Sequence, residues 1–82
     1  MFGRQYEIER ERTETIESVW RLIFQHGKWA VERSWKTFDP ATGASVVTGT
    51  ERHTIEAFEV SPTGRRLARK LRRALDKAVQ DA

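Results

Sequence analysis

The last quarter of the chain carries a helical pattern that constrains the rest of the fold. Between residues 61 and 82, apolar side chains recur every three or four positions, so they fall on one arc of a helix. The residues on this arc are Leu67, Leu71, Ala74, Leu75, Ala78 and Val79. Ser61 followed by Pro62 is typical of a helix start, and the pattern predicts a helix over residues 62–80. Since short helices are stabilised mainly by burying their apolar side, the other residues must form a surface that covers this arc.

The remaining sides of this helix are strongly basic. They carry seven of the fifteen Lys and Arg residues of the chain, namely Arg65, Arg66, Arg69, Lys70, Arg72, Arg73 and Lys77. Residues 61–82 contain seven bases and two acids, a net charge of +5. Residues 1–60 contain eight bases and ten acids, a net charge of −2, which together give the +3 of the whole chain. Such asymmetry indicates a surface for an anionic partner, and an outer helix face that is simply solvated is an equally open interpretation.

Two segments near the N-terminus show different periods. Residues 4–12 alternate, with Tyr6, Ile8, Arg10 and Arg12 on one side and Glu7, Glu9 and Glu11 on the other, which predicts a strand. A helix is the alternative there, because Glu and Arg are good helix formers. Residues 14–26 then place Ile16, Val19, Trp20, Ile23 and Phe24 on one helical stripe, which predicts an amphipathic helix. Thr13 or Thr15 would cap it, and Gly27 would end it.

Residues 28–60 are predicted to form a β-hairpin. Trp29, Val31 and Trp35 share one face of the first strand, and residues 39–44 contain turn-forming Asp39, Pro40 and Gly43. Residues 45–60 would be the returning strand, with Trp35 opposite Val47. Gly49 within it indicates either a bulge or a position covered by a neighbouring Trp. The apolar alternation slips before Phe58, which we interpret as a bulge near residues 56–58.

These elements predict a single α+β domain over residues 1–82, in the order β-α-β-β-α. Its simplest packing is a two-layer structure, in which a three-stranded antiparallel sheet carries both helices on one face. If residues 4–12 are not a strand, the sheet has two strands. A chain of this length buries only about 60% of the surface that its unfolded form exposes, so the core must be small.

The junction FEVSPTGRRLARKL, residues 58–71, resembles the join between wing and final helix in winged-helix regulators of the MarR and HxlR type. Phe58, Val60, Ser61, Gly64 and Arg65 carry the resemblance. It would make the preceding hairpin a DNA-binding wing. Only one helix is predicted before the hairpin, whereas a winged helix needs a helix-turn-helix pair there. The resemblance is therefore restricted to the junction, and the family is not assigned.

Little in the chain points to catalysis or to a bound cofactor. The chain has no Cys, which excludes disulfides, thiolate nucleophiles and Cys-based zinc sites. His26 and His53 lack metal-binding spacing, and Glu51 with His53 is a weak candidate acid–base pair. We therefore expect a non-enzymatic protein without cofactor or metal. The lack of Cys, of a signal peptide and of any long apolar run predicts a cytoplasmic protein with no membrane partner.

The prediction for function is binding of nucleic acid, DNA or RNA, by the basic side of the C-terminal helix. Its seven cations would contact phosphates, and the predicted hairpin would add Arg33, Lys36 and Arg52. The alternative is a protein-binding adaptor or inhibitor module, with a homodimer as one form of it. In that case the basic side would contact an acidic protein surface, such as the glutamates of strand 4–12 in a second copy.

Overall fold

The computed structural model describes residues 4–81 and contains a four-stranded antiparallel sheet followed by three helices. The strands are β1 (Arg4–Arg12), β2 (Ile16–Gln25), β3 (Lys28–Phe38) and β4 (Ser45–His53), adjacent in that order. The helices are α1 (Ile55–Val60), α2 (Pro62–Arg66) and α3 (Ala68–Gln80). The fold is a small α+β fold, but the predicted order β-α-β-β-α with a three- or two-stranded sheet is wrong. The helices pack on one face of the sheet, called the helix-side face here, and the opposite face is called the open face.

Residues 14–26 were the main error of the sequence-based prediction, since strand β2 replaces the predicted helix. Val19 and Ile23 are buried on the open face, and Leu22 is 0% exposed on the helix-side face. A central strand that is apolar on both faces has apolar residues at every spacing, including the spacing of a helical stripe. Leu22 lies off that stripe, and only the strand explains its burial.

The turn between β2 and β3 explains the glycine that was predicted to end a helix. His26 and Gly27 have positive φ angles of 54° and 73°, and the flanking residues Gln25 and Lys28 are paired. Positive φ at both central residues is the geometry of a two-residue type I′ hairpin turn. Gly27 therefore closes a hairpin, which leaves no helix between β1 and β3.

The predicted strand over residues 4–12 forms as β1, but its alternation is interrupted by a β-bulge. Pairing with β2 passes from Glu7 opposite Arg21 to Glu9 opposite Trp20, so Ile8 is an extra residue. The extra residue moves the following side chains to the other face. Glu7 lies on the open face and Glu9 on the helix-side face, so the predicted acidic side of three glutamates does not exist.

Strands β3 and β4 form the predicted hairpin in a different register. Trp35 lies opposite Gly49 and not opposite Val47, because the ladder shifts beside Phe38 and the turn is longer than predicted. The indole of Trp35 covers Gly49 so closely that a Cβ atom there would collide with the ring. This confirms that a Trp covers this glycine. Gly43 has a φ of 74°, as its place in the turn requires.

Residues 55–60, predicted as the end of the returning strand, form helix α1. The Thr54 hydroxyl accepts a hydrogen bond from the Ala57 backbone N–H at 3.1 Å and caps the helix. Phe58 is 1% exposed and enters the core, so the slip in alternation is a helical turn and not a bulge. Within residues 4–81 no helix precedes the sheet, and residues 58–60 are not a wing strand, so the chain is not a winged helix.

Helices α2 and α3 together correspond to the predicted C-terminal helix. Ser61 caps α2 by accepting a hydrogen bond from the Gly64 backbone N–H at 3.0 Å, and Pro62 is the first helical residue. Leu67 separates the two helices with φ −95° and ψ 11°. Its N–H still donates to the Thr63 carbonyl at 2.9 Å, and its carbonyl accepts from the Leu71 N–H at 2.8 Å. The two segments are therefore one nearly continuous helix with a local irregularity at Leu67.

The core lies between the helix-side face of the sheet and the apolar arc of the helices. Its buried residues are Ile8, Leu22, Val31, Phe58, Leu67, Leu71, Ala74 and Ala78. Leu75 is partly buried against this cluster, whereas Val79 is 75% exposed. At about 100° per residue, Val79 lies roughly 80° around the helix from Leu71, at the margin of the arc. The prediction that Val79 is covered is therefore wrong.

Candidate functional site

Four of the seven basic residues on the helices form a regularly spaced row that winds around the outer side of the helices. Arg65, Arg69, Arg73 and Lys77 follow one another at intervals of four residues, and all four are exposed. None of them makes an ion pair or a side-chain hydrogen bond with another residue of the described chain, residues 4–81. We call them the four-cation row. From Arg69 to Lys77 the row extends about 12 Å along α3, at 1.5 Å per residue.

The other three basic residues of the helices are bound to acidic side chains. Arg66 donates two hydrogen bonds to the two carboxylate oxygens of Glu9, at 3.3 and 3.2 Å, and Lys70 Nζ donates to the same carboxylate at 3.0 Å. Arg72 lies 3.5 Å from Asp76, one turn further along α3. These contacts separate the predicted basic side into an internally bonded part and the four-cation row.

Glu9 of β1 ties the helices to the sheet through Arg66 and Lys70, and Tyr6 of β1 lies near the C-terminal end of α3. The Glu9 side chain is 13% exposed, and its hydrogen bonds from Arg66 and Lys70 lower its pKa from the ordinary value of 4.5. Tyr6 faces the C-terminal end, where partial burial and then the neighbouring Asp81 carboxylate raise the pKa of its hydroxyl. The helix is therefore fixed relative to the sheet by polar contacts as well as by its buried arc. The helix backbone that carries the four-cation row is therefore anchored to the sheet.

Replacing Glu9 with Gln should lower the free energy of unfolding by about 1 kcal/mol near neutral pH, because two cations lose a carboxylate partner. The folded-state pKa of Glu9 lies below its unfolded value, so its contribution exists above about pH 4.5 and disappears as the pH falls through the folded-state pKa. Urea denaturation of both proteins at several pH values measures this. Glu11→Gln is the matched control, since Glu11 is exposed and makes no ion pair within residues 4–81. A Glu9→Gln effect that does not change with pH would contradict the assignment.

A groove runs between α3 and strand β1 beside the row. It has a volume of about 500 Å³, and its charged lining residues are Lys70, Arg73 and Lys77 together with the acidic residues Glu7 and Asp81. Arg73 and Lys77 therefore border a concave surface, while Arg69, four residues before Arg73, lies farther around the outer side of the helix. An extended anion lying along the helix would contact the row from its exposed side, whereas the groove itself carries charges of both signs.

The hairpin residues predicted to join the helix surface lie elsewhere. Arg33 lies on the helix-side face, with its guanidinium 5.9 Å from the Trp20 ring and 5.0 Å from the Trp35 ring. Lys36 and Arg52 project from the open face, on the other side of the sheet from α3. Each of the three has an acidic neighbour, with distances of 3.8 Å from Arg33 to Glu51, 3.8 Å from Lys36 to Glu17 and 2.9 Å from Arg52 to Glu32. They do not form one surface with the four-cation row.

A second concave region lies between α1–α2 and the helix-side face of the sheet. This cleft of about 360 Å³ is lined by residues that include Trp20, Arg33, Glu51, His53, Ser61 and Arg66. His53 Nε2 lies 3.7 Å from the Glu51 carboxylate, which is longer than a hydrogen bond. Its positive and negative side chains are mixed, so the cleft has no clear preference for an anion. Across residues 4–81, no cluster of His, Asp or Glu could hold a metal ion.

Comparisons with known proteins give no assignment. No protein-family model matches the chain, and neither do the curated proteins or the solved structures with which it was compared. Among the helices of residues 4–81, none has the length and apolar character needed to cross a membrane. The site must therefore be judged on its own geometry and charge.

The sequence predicted the basic residues of the helices but not Glu9, the residue that pairs with two of them. Glu9 is 57 residues from Arg66 in the sequence, and the predicted acidic side of β1 gave it no special position. Only the bulge at Ile8 turns Glu9 toward the helices. No signal of this bulge is present in the sequence, because Tyr6 and Ile8 lie on one side of the alternation in residues 4–12 and the glutamates on the other.

Proposed function

We propose that this protein binds nucleic acid, DNA or RNA, through the four-cation row of α2 and α3. The row would contact successive phosphates of one strand, with Arg side chains providing planar, two-pronged donors. Phosphate contacts of this kind carry no sequence information, so the interaction would be largely independent of base sequence. The expected cytoplasmic location and the absence of catalysis remain predictions alongside this proposal.

The observation that carries the proposal is that the row has no internal acidic partner within residues 4–81. A cation that is paired with a carboxylate of its own chain is less available to bind an external anion. Three of the seven cations here are paired in this way. The four that remain follow one another at intervals of four residues, and their row winds about 120° around the helix axis from Arg65 to Lys77, because each step advances about 40° beyond a full turn. A linear array of cations is complementary to a linear polyanion with repeating charges, which favours nucleic acid over a compact acidic protein surface.

A titration of the wild-type protein with mixed-sequence duplex DNA over a range of salt concentrations tests the proposal. If the four cations each neutralise one phosphate, log Kobs should fall against log salt with a slope of about −3 to −4. Single-stranded RNA should give a shallower slope, because fewer counterions are released per phosphate. Fluorescence anisotropy of labelled oligonucleotides measures both series.

Polyglutamate of similar total charge is the control that separates nucleic acid from an acidic protein partner. Binding of DNA or RNA that exceeds binding of polyglutamate supports the proposal. Equal or stronger binding of polyglutamate favours the acidic protein surface. Failure to bind either nucleic acid at about 50 mM salt would refute the proposal, because sequence-independent phosphate binding is strong under these conditions.

A further inference from the structure

The two edge strands of the sheet differ sharply in how they are protected from pairing with another chain. Strand β1 contains a bulge at Ile8, carries charged residues at most positions after it, and is flanked by α3. Bulges, charges and covering helices are the usual protections of an edge. Strand β4 has a bulge at Val46 and the charged residues Glu51 and Arg52 near its end, but none of these protections between Val47 and Thr50. This part of β4 contains neither a charged residue nor a proline, and within residues 4–81 no helix packs closely against β4.

The exposed side of β4 presents a regular set of backbone groups. The N–H of Val47 points toward β3, where it donates to the Thr37 hydroxyl at 3.2 Å. In an extended strand the N–H and C=O of successive residues point alternately to the two sides. The backbone groups of Thr48, Thr50 and Arg52 therefore point away from β3. The described structure contains no strand beyond β4 that could pair with them.

We propose that β4 pairs with β4 of a second copy of this chain, antiparallel and with the two-fold axis at Thr50. The three residues with outward backbone groups are placed symmetrically about Thr50. In this register Thr50 pairs with Thr50 of the second copy, and Thr48 pairs with Arg52 of the second copy. All six outward N–H and C=O groups of each copy are then bonded, six hydrogen bonds in total, and the two sheets become one eight-stranded sheet.

In this register no two like charges lie directly opposite each other, while Glu51 of each copy is a diagonal neighbour of the other across the axis. On the open face, Thr50 meets its own copy, and such Thr–Thr pairs are favourable across antiparallel strands. On the helix-side face, Gly49 lies opposite Glu51 of the second copy, and Val47 lies opposite its His53. Val47 is 53% exposed in the single chain, so pairing would cover apolar surface that is now in water. The charged groups of Glu51 and Arg52 are already held toward β3 by Arg33 and Glu32.

Charge substitutions at Thr50 test the register directly, and the test does not depend on nucleic-acid binding. The wild-type protein should show a concentration-dependent dimer by sedimentation equilibrium. Thr50→Lys and Thr50→Glu should each weaken self-association by roughly tenfold or more, because two equal charges then meet at the axis. An equimolar mixture of the two variants should form a heterodimer, because the introduced lysine then faces the introduced glutamate. Thr42→Lys, in the turn before β4, is the matched control and should dimerise like the wild type.

Several outcomes would overturn the proposal. These are a wild-type protein that stays monomeric to roughly 1 mM, a dimer that survives both Thr50 variants, or a mixture that stays monomeric. If the variants do not fold, amide exchange in the wild-type protein decides. The backbone N–H groups of Thr48, Thr50 and Arg52 should become protected as concentration rises, and exchange rates that do not change with concentration refute the pairing.

Discussion

Gly64→Ala is expected to lower the free energy of unfolding by about 3 kcal/mol or more, which is a large part of the stability of a domain this small. A Cβ atom at Gly64 would lie far closer to the Phe58 carbonyl oxygen than the sum of their van der Waals radii allows. That oxygen is held in place, since it accepts hydrogen bonds from the Ser61 hydroxyl at 2.6 Å and from the Ser61 backbone N–H at 3.0 Å. The added methyl group therefore forces α1 and α2 apart.

Separation of α1 from α2 is costly because Phe58 would move with its backbone. Phe58 is 1% exposed, lies 5.1 Å from the Trp20 ring and belongs to the core cluster. Thermal unfolding followed by circular dichroism should show a midpoint lowered by about 12 °C or more, at 4–8 °C per kcal/mol for a domain of this size.

Gly43→Ala is the matched control for Gly64→Ala. A methyl group added at Gly43 would meet no atom within 4 Å, but the φ of this residue is 74°. Alanine there should cost about 1 kcal/mol from backbone strain alone. If Gly64→Ala proved no more destabilising than Gly43→Ala, the close contact between α1 and α2 would be wrong.

Local signals in the sequence predicted the elements that depend only on local chemistry. The start of α2 at Ser61 and Pro62, the positive φ of Gly43 and the strand over residues 4–12 all follow from neighbouring residues. Strand β2 was mispredicted because a strand buried on both faces and an amphipathic helix share the same apolar spacing. The type I′ turn at His26 and Gly27 would have distinguished them, but Gly after a polar residue is also typical of a helix end.

The candidate site was predictable in part for the same reason. The basic residues could be identified from the sequence, and their helical arrangement follows from the apolar arc. The division of these residues into ion-paired and unpaired cations could not be predicted from the sequence, because it depends on Glu9. The orientation of Glu9 is set by a bulge in a strand that is far away in the sequence. Contacts of this kind appear only when the register of the sheet is known.

Replacing Arg69, Arg73 and Lys77 together with Gln is expected to weaken DNA binding by about 100- to 1,000-fold at about 50 mM salt, if the proposed function is right. Each lost phosphate contact should also reduce the magnitude of the salt slope by about 1, so the slope should approach −1. Gln is nearly as good a helix former as Arg or Lys, and the three positions are exposed. The midpoint of thermal unfolding should therefore stay close to that of the wild type.

A second triple variant separates the row from net charge. This variant carries Lys28→Gln, Lys36→Gln and Arg52→Gln, and it loses the same number of positive charges as the first. All three residues belong to the open face, across the sheet from α3. This variant should bind DNA within about threefold of the wild type, with a salt slope changed by less than about 1. Equal losses in both variants would mean that net charge alone drives binding. A larger loss in the second variant would place the interface on the open face, because only the cations that contact phosphates contribute to counterion release.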